Sequence, residues 1–186
     1  ALASPVATQL LDPASQQLFG AVVPNALDPA FRHRSPNHRY AVAVQAGVHR
    51  AGLRHPVTGQ PLTTRVWGYA SNGQAATWPG RTFVAQRDVP VEVFWQNKLS
   101  TEHLLPVDTS VHWAYSASSG EDHGSAYDHR SIAVDGVPVV AHLHGGHSDS
   151  AFDGLPEAWF SPGHAVRGPQ WVAKRYTYDN DQPAAT

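Results

Sequence analysis

The sequence predicts an all-β chain folded as a β-sandwich. Short apolar, β-branched runs recur every dozen or so residues, with fifteen glycines and fifteen prolines punctuating a chain of 186 residues. That glycine and proline content favours many turns over long helices, and within 1–38 no periodic stretch is long enough for a secure helix. Apolar residues make up 41% of the chain, enough for a core, and the length suits one large β domain.

Taken in order, residues 1–38 read as an arm, broken by Leu11-Asp12-Pro13, Val23-Pro24-Asn25 and Leu27-Asp28-Pro29. Its Leu10, Leu11, Leu18, Phe19, Val22 and Val23 give it an apolar side to bury across a domain surface. The domain spans 39–186 and shows no internal repeat. Its first strand is 40–48, β-branched and apolar, and 64–69 is the second. The Thr77-Trp78-Pro79-Gly80 turn leads into an extended stretch at 82–86. The mixture Val91-Glu92-Val93-Phe94-Trp95-Gln96-Asn97 is that of a sandwich strand, and 107–113 is another candidate. Residues 115–136, rich in Ser, Gly, Asp and His, read as a long exposed loop. The run 137–144 is the last strong strand, closed by Gly145-Gly146, and a further one runs within 171–178. Trp67, Trp78 and Trp95 fall at strand or turn positions where core packing is the expected role.

Composition excludes several classes of function. Thirteen Lys and Arg against fifteen Asp and Glu give a net charge of −2, which argues against a general nucleic-acid binder. No apolar run approaches the roughly 18 residues needed to span a bilayer. With zero Cys there is no disulfide, thiolate nucleophile or Cys-ligated metal within the chain. With zero Met, the start Ala1-Leu2-Ala3 reads as a processed end, consistent with removal of an export signal. Twelve histidines in a chain so poor in Lys and Arg invite a metal reading.

The sharpest feature is Ala141-His142-Leu143-His144-Gly145-Gly146-His147. On a strand, residues two apart share a face, so His142 and His144 project side by side while Leu143 turns to the core. Two neutral imidazoles on one face form a nitrogen donor pair for copper or zinc. They fall short of a full coordination sphere, so a metal here needs ligands from elsewhere. A pair of solvated surface histidines is the competing reading, and spacing alone does not choose between them. His112, His123, His129 and His164 lie in or beside loops without a partner at metal spacing, and His33, His38, His49 and His55 read as surface residues.

The longer string decides. His142-Leu143-His144-Gly145-Gly146, followed by Asp153-Gly154-Leu155-Pro156-Glu157-Ala158-Trp159-Phe160-Ser161, resembles the first copper-binding segment of multicopper oxidases. The likeness is to the bacterial branch of spore-coat laccases and bilirubin oxidases. Supporting stretches stand in the expected order: Arg65-Val66-Trp67-Gly68-Tyr69, Trp78-Pro79-Gly80-Arg81-Thr82-Phe83, 91–97 and Leu105-Pro106-Val107-Asp108.

The resemblance implies a cupredoxin-like Greek-key sandwich, the first of three such domains in a protein holding four copper ions. A mononuclear copper takes electrons singly from a phenol, a pigment or a metal ion. A trinuclear cluster between the first and last domains, held by four His-x-His pairs, then reduces dioxygen to water. Carried over by position, His142 ligates the type 2 copper and His144 one type 3 copper, with each ring's other nitrogen held by an acceptor. Asp153 matches an acidic position near the cluster's water channel, as a catalytic carboxylate that relays protons, though an Asp-Gly turn explains it equally. Glu157 and Trp159 read as structural, one in an ion pair or cap and the other packed. His147 is read as a solvated loop residue.

The chain also departs from the family pattern. A member continues past Asn180-Asp181-Gln182-Pro183 with a strand supplying two more copper ligands, and carries a Cys-containing electron-transfer segment later. This chain stops at Thr186, so against that pattern the domain 39–186 lacks its last strand or strands, and the chain is expected to act only with the remaining C-terminal portion, as a separate chain or fragment, and not alone. Its expected small-molecule partners are dioxygen and a small reducing substrate, and its expected location is secreted, periplasmic or at a cell or spore surface. The alternative is a non-enzymatic copper- or zinc-binding sandwich.

Overall fold

A computed structural model describes residues 11–108 and 129–183. Its strands are β1 (Arg32–His33), β2 (Arg39–His49), β3 (Thr64–Ser71), β4 (Thr82–Phe83), β5 (Val91–Asn97) and β6 (Arg175–Tyr178), with one short helix, α1 (His129–Asp135). The expected all-β class holds. A four-stranded sheet runs in the order β3-β2-β5-β6, and β1 pairs with β4 apart from it. Within the sheet β2 and β5 are parallel, with Arg39 opposite Glu92 and Val44 opposite Asn97, and the other pairs are antiparallel. Arg39 Nε meets Glu92 Oε2 at 2.7 Å across that register. Gly68 is where β3 passes closest to the following turn: a Cβ there would lie 2.5 Å from the Thr77 carbonyl oxygen.

Alternation along the strands puts one face inward. Tyr40, Val42, Val91, Val93, Tyr176 and Tyr178 are buried together with Ala141, and Trp95, Leu143 and Phe152 pack against them. Leu99, Ile132, Val137 and Trp159 form a second cluster with Val44, Trp67, Val139 and Val166 beside it. The second layer is therefore drawn from residues 132–166, and it differs from expectation. Residues 137–144 make no ladder; Val139 forms an isolated bridge with Phe160, their backbones bonding reciprocally at 3.1 and 2.9 Å. Pro138 brings no N–H, and the apolar run is satisfied by packing rather than by strand pairing.

Asn97, at an inward position of β5, joins the layers. Its Nδ2 donates to the Val137 carbonyl at 2.7 Å and to the Phe160 carbonyl at 3.1 Å, while its Oδ1 accepts from the Leu99 N–H at 3.0 Å.

Other expectations are corrected. The end of the stretch read as an exposed loop contains α1, because Ile132 is buried in the second cluster and anchors a helical turn there. Regular structure in 171–178 is confined to β6, and in 82–86 to β4. Most of 107–113 lies outside the described residues, as do His112 and His123. In the arm, Leu18, Phe19, Val22 and Val23 are exposed rather than buried. Polar contacts tie the arm down instead: Gln16 exchanges two hydrogen bonds with the Arg54 backbone, and Arg81 donates to the Ala30 carbonyl at 2.8 Å. Trp67 and Trp95 pack as expected, but Trp78 is 56% exposed, edge-on to His49. Among the described residues no helix is long and apolar enough to cross a membrane.

The two layers leave a groove of about 600 Å³ over the first cluster. Its walls are aromatic, from Tyr40, Tyr69, Phe83, Trp95 and Tyr178, and His142 stands on its rim. The Trp95 indole N–H donates to the Tyr178 hydroxyl at 3.2 Å. Burial pushes the Tyr178 hydroxyl up to about 12, against the Trp95 bond, and nearby Tyr176, Tyr69 and Asp153 add to the rise.

Two outcomes follow from this packing. Asn97→Ala takes the side-chain partner from the Val137 carbonyl and from the Leu99 N–H, each worth on the order of 1–3 kcal/mol, while the Phe160 carbonyl keeps the Val139 N–H. Urea titration is expected to show a loss of that size, with Lys98→Ala, exposed just after β5, within about 0.5 kcal/mol of the parent. Folding keeps Tyr178 neutral, so its contribution is complete below the ordinary tyrosine value near 10 and is lost as pH rises toward about 12. Stability followed by denaturant titration across that window should fall by on the order of 1–3 kcal/mol more in the parent than in Tyr178→Phe.

Candidate metal centre

The segment that carries the histidine pair is built from beneath. Ala141 is buried and Leu143 half-buried against the first cluster, whereas His142 and His144 are exposed. The alternation expected of a strand thus survives without a ladder. Ring centroids of His142 and His144 lie 6.1 Å apart, with planes tilted by 52°. With metal–nitrogen bonds of about 2.0–2.1 Å, rings at that separation can serve one ion or two adjacent ions.

The Asp153–Gly154 turn lies against the same segment. Asp149 caps the short turn Ser150–Phe152, its side chain accepting from the Ala151 N–H, and Asp153 closes it. Gly154 follows at φ +77°. His142 Nδ1 is 2.6 Å from the Asp153 carbonyl oxygen and 3.3 Å from the Asp153 Oδ1. Both side chains are close to half exposed, at 48% and 44%. The structure therefore brings His142, His144 and Asp153 together. The His144 ring, expected to find an acceptor, makes no hydrogen bond among the described residues. Nor does any group of three or more His, Cys, Asp or Glu there converge as a full set of ligands.

The other candidates separate clearly. His147 Nδ1 lies 3.3 Å from Asp181 Oδ1, both well exposed, as suits a loop residue. Trp159 is buried at 4% exposure, as expected. Glu157 makes no ion pair among the described residues; its Oε2 is buried without a partner while its carbonyl accepts from the Gln170 N–H. His164 stacks on Phe160 at 4.7 Å and 10°, and burial, then the Lys174 charge, hold its imidazole below the usual range. His33, read as a surface residue, has a buried Nε2 and a tilted contact with Phe83, and burial followed by the Arg81 charge lowers it likewise.

Two features of the site go beyond the sequence reading. Asn97 holds the layer from which the histidines extend, and its signal was available: a polar residue at the fourth inward position of β5, after Val91, Val93 and Trp95. Gly154 is the second. An ideal Cβ there would lie 2.6 Å from the Ala141 carbonyl oxygen and 2.8 Å from the His142 Cβ.

No family model matches the chain. Among curated proteins it is similar to a laccase of Bacillus subtilis, 32% identical over 163 residues, which cover 88% of this chain and 27% of that protein. It is 37% identical over 123 residues to a laccase of Bacillus stratosphericus, covering 66% of this chain and 20% of that one. A multicopper oxidase LPR1 homolog of Oryza sativa is 40% identical over 119 residues, covering 64% of this chain and 16% of the relative. The matched stretch is thus a minor part of each relative's length. That kinship agrees with the all-β sheet seen here and makes the fold cupredoxin-like. By sequence, over the greater part of its own length, the chain belongs to the multicopper oxidase family.

Proposed function

We propose that this chain contributes two nitrogen ligands, His142 and His144, to the trinuclear copper cluster of a laccase-like oxidase completed by another polypeptide or fragment. The observation that supports it is the pair of exposed imidazoles with centroids 6.1 Å apart at the lip of the β layer. The donor set fits copper, since imidazole serves that metal well. Such a cluster, when bound, supplies four electrons to dioxygen and yields two waters.

In this reading His142 faces the type 2 ion and His144 one ion of the type 3 pair. The Asp153 carboxylate, half exposed beside His142, holds and passes protons that dioxygen reduction consumes. The electron donor is a phenol, a pigment or a metal ion, and it docks on the part that carries the mononuclear copper. Residues 1–38 act as an arm on the single cupredoxin-like domain 39–186, supported by the Gln16 and Arg81 contacts to it. The same reading puts the protein outside the cytoplasm or at a cell or spore surface.

Intact mass and metal content of the natively purified assembly test this directly. A companion chain bearing further His-x-His pairs and a Cys, several coppers, and oxygen-dependent phenol oxidation are expected. In that assembly His142→Ala and His144→Ala should each lower turnover by at least about a hundredfold, as loss of a group close to the metal does. A lone chain that takes up copper or zinc stoichiometrically, with no oxygen chemistry in any assembly, would instead make it a metal-binding module.

A further inference from the structure

Where the arm meets the domain, its side chains alternate as in a strand: Phe31 and His33 are partly buried, Arg32 and Arg34 exposed. β1 pairs in parallel with β4, and the Val84 N–H donates to the His33 carbonyl at 2.8 Å. Arg81, just before β4, completes the junction. Its Nη1 donates to the Ala30 carbonyl at 2.8 Å and its guanidinium lies 5.5 Å from the Phe31 ring centroid, so the arm itself pins the cation. The His33 ring meets the Phe83 ring at 5.7 Å. His33 Nε2 and Arg81 Nε are both buried with no hydrogen-bond partner among the described residues. A neutral imidazole can keep Nε2 free of a proton. A protonated ring carries N–H on both nitrogens, and so buries a donor without an acceptor near a fixed positive charge. We infer that β1, β4 and Arg81 form an acid-sensitive clasp on the arm, closed while His33 is neutral and opened as that ring gains a proton.

The groups around His33 do not offset the incoming charge. The β4 side brings the Arg81 cation, and β1 brings Arg32, with Arg34 directly after it. From β2 comes Tyr40, edge-on to Phe83, whose hydroxyl is already engaged: it accepts from the Ser35 N–H at 3.2 Å and donates to the Val84 carbonyl at 3.1 Å. Burial first, then Arg81, accordingly hold the imidazole below its ordinary value of 6.5. The clasp's contribution is therefore complete above about 6.5, where the released ring is neutral too. It is lost as pH falls below that value, the open-to-closed ratio rising by at most about tenfold per pH unit for one proton. Opening also loosens a wall of the aromatic groove, since Phe83 and Tyr40 both line it. None of this depends on the copper reading.

Amide hydrogen exchange of the full, metal-free chain at about pH 7.5 and about pH 5 reads the ladder through the Val84 N–H, taken as protection so that the intrinsic pH dependence of exchange cancels. The Lys98 N–H, bound to the Val44 carbonyl at 2.9 Å, is the reference. In the parent, Val84 protection should fall about tenfold more than that of Lys98 on acidification. His33→Leu keeps an apolar contact for Phe83 and takes no proton, so its two amides should stay together. Arg81→Gln keeps an amide for the Ala30 carbonyl without the charge; it should shrink the fall severalfold, and it carries the test where the leucine variant does not fold. Val84 and Lys98 changing together in the parent overturns the clasp, and so does an undiminished fall in His33→Leu. An undiminished fall in Arg81→Gln overturns the part assigned to the arginine.

Discussion

One buried amide joins the two layers of this molecule. The sheet β3-β2-β5-β6 satisfies its backbone by ladders, but the layer facing it has isolated bridges and local turn hydrogen bonds in their place. Buried carbonyls without partners cost about as much as a lost hydrogen bond, so such a layer needs donors from elsewhere. Asn97 provides them, reaching from β5 to the carbonyls of Val137 and Phe160. From Val137 the chain runs through the Val139–Phe160 bridge to buried Ala141, and the next residue is His142. The position of the histidine pair is thus inherited from an amide that grips the chain at Val137, five residues before His142.

The aromatic groove arises from the same arrangement. A regular second sheet would lay alternate side chains over the inner face of the first, at a spacing of about 10 Å. Here the covering residues come from irregular segments, and Tyr40, Tyr69, Trp95 and Tyr178 line the space that they leave. Large rings keep that space open because edge contacts hold them upright: Tyr69 meets Trp95 at 5.9 Å and Trp95 meets Tyr176 at 6.5 Å. Tyr178 carries its hydroxyl into this surrounding with the Trp95 indole as its donor, and the neutral phenol is what the surrounding tolerates.

What could be read from sequence follows the same division. Strands β2, β3 and β5 were legible because their alternating, β-branched residues both pair and pack, so pattern and ladder coincide. At 137–144 they part: Val137, Val139, Ala141 and Leu143 point inward as a strand's residues would, while hydrogen bonding goes to a side chain, one bridge and scattered loop groups rather than to a ladder. Side-chain direction was therefore right where secondary structure was not, and the site reading needed only the former. Helix α1 was hidden because one buried residue, Ile132, sits in a stretch whose Ser, Gly, Asp and His composition speaks for a loop. The arm failed for the converse reason. Its apolar residues signal burial, but nothing in a single sequence says which surface receives them, and in the described structure Phe19 stands fully exposed. Gly154 was noticed as half of an Asp-Gly turn, yet its steric role depends on neighbours twelve and thirteen positions earlier.

A donor pair short of a full coordination sphere faces a requirement that a complete site does not. Ordering side chains during assembly costs free energy, and a ring that can present either nitrogen divides its population between useful and useless forms. Fixing one ring beforehand removes that division, and here it is achieved with backbone: a carbonyl on a short capped turn, held close by a residue without a side chain. Backbone groups suit the task because they neither change rotamer nor titrate. His142 accordingly brings its orientation with it. His144, exposed and without a ring hydrogen bond among the described residues, takes its orientation from whatever approaches it.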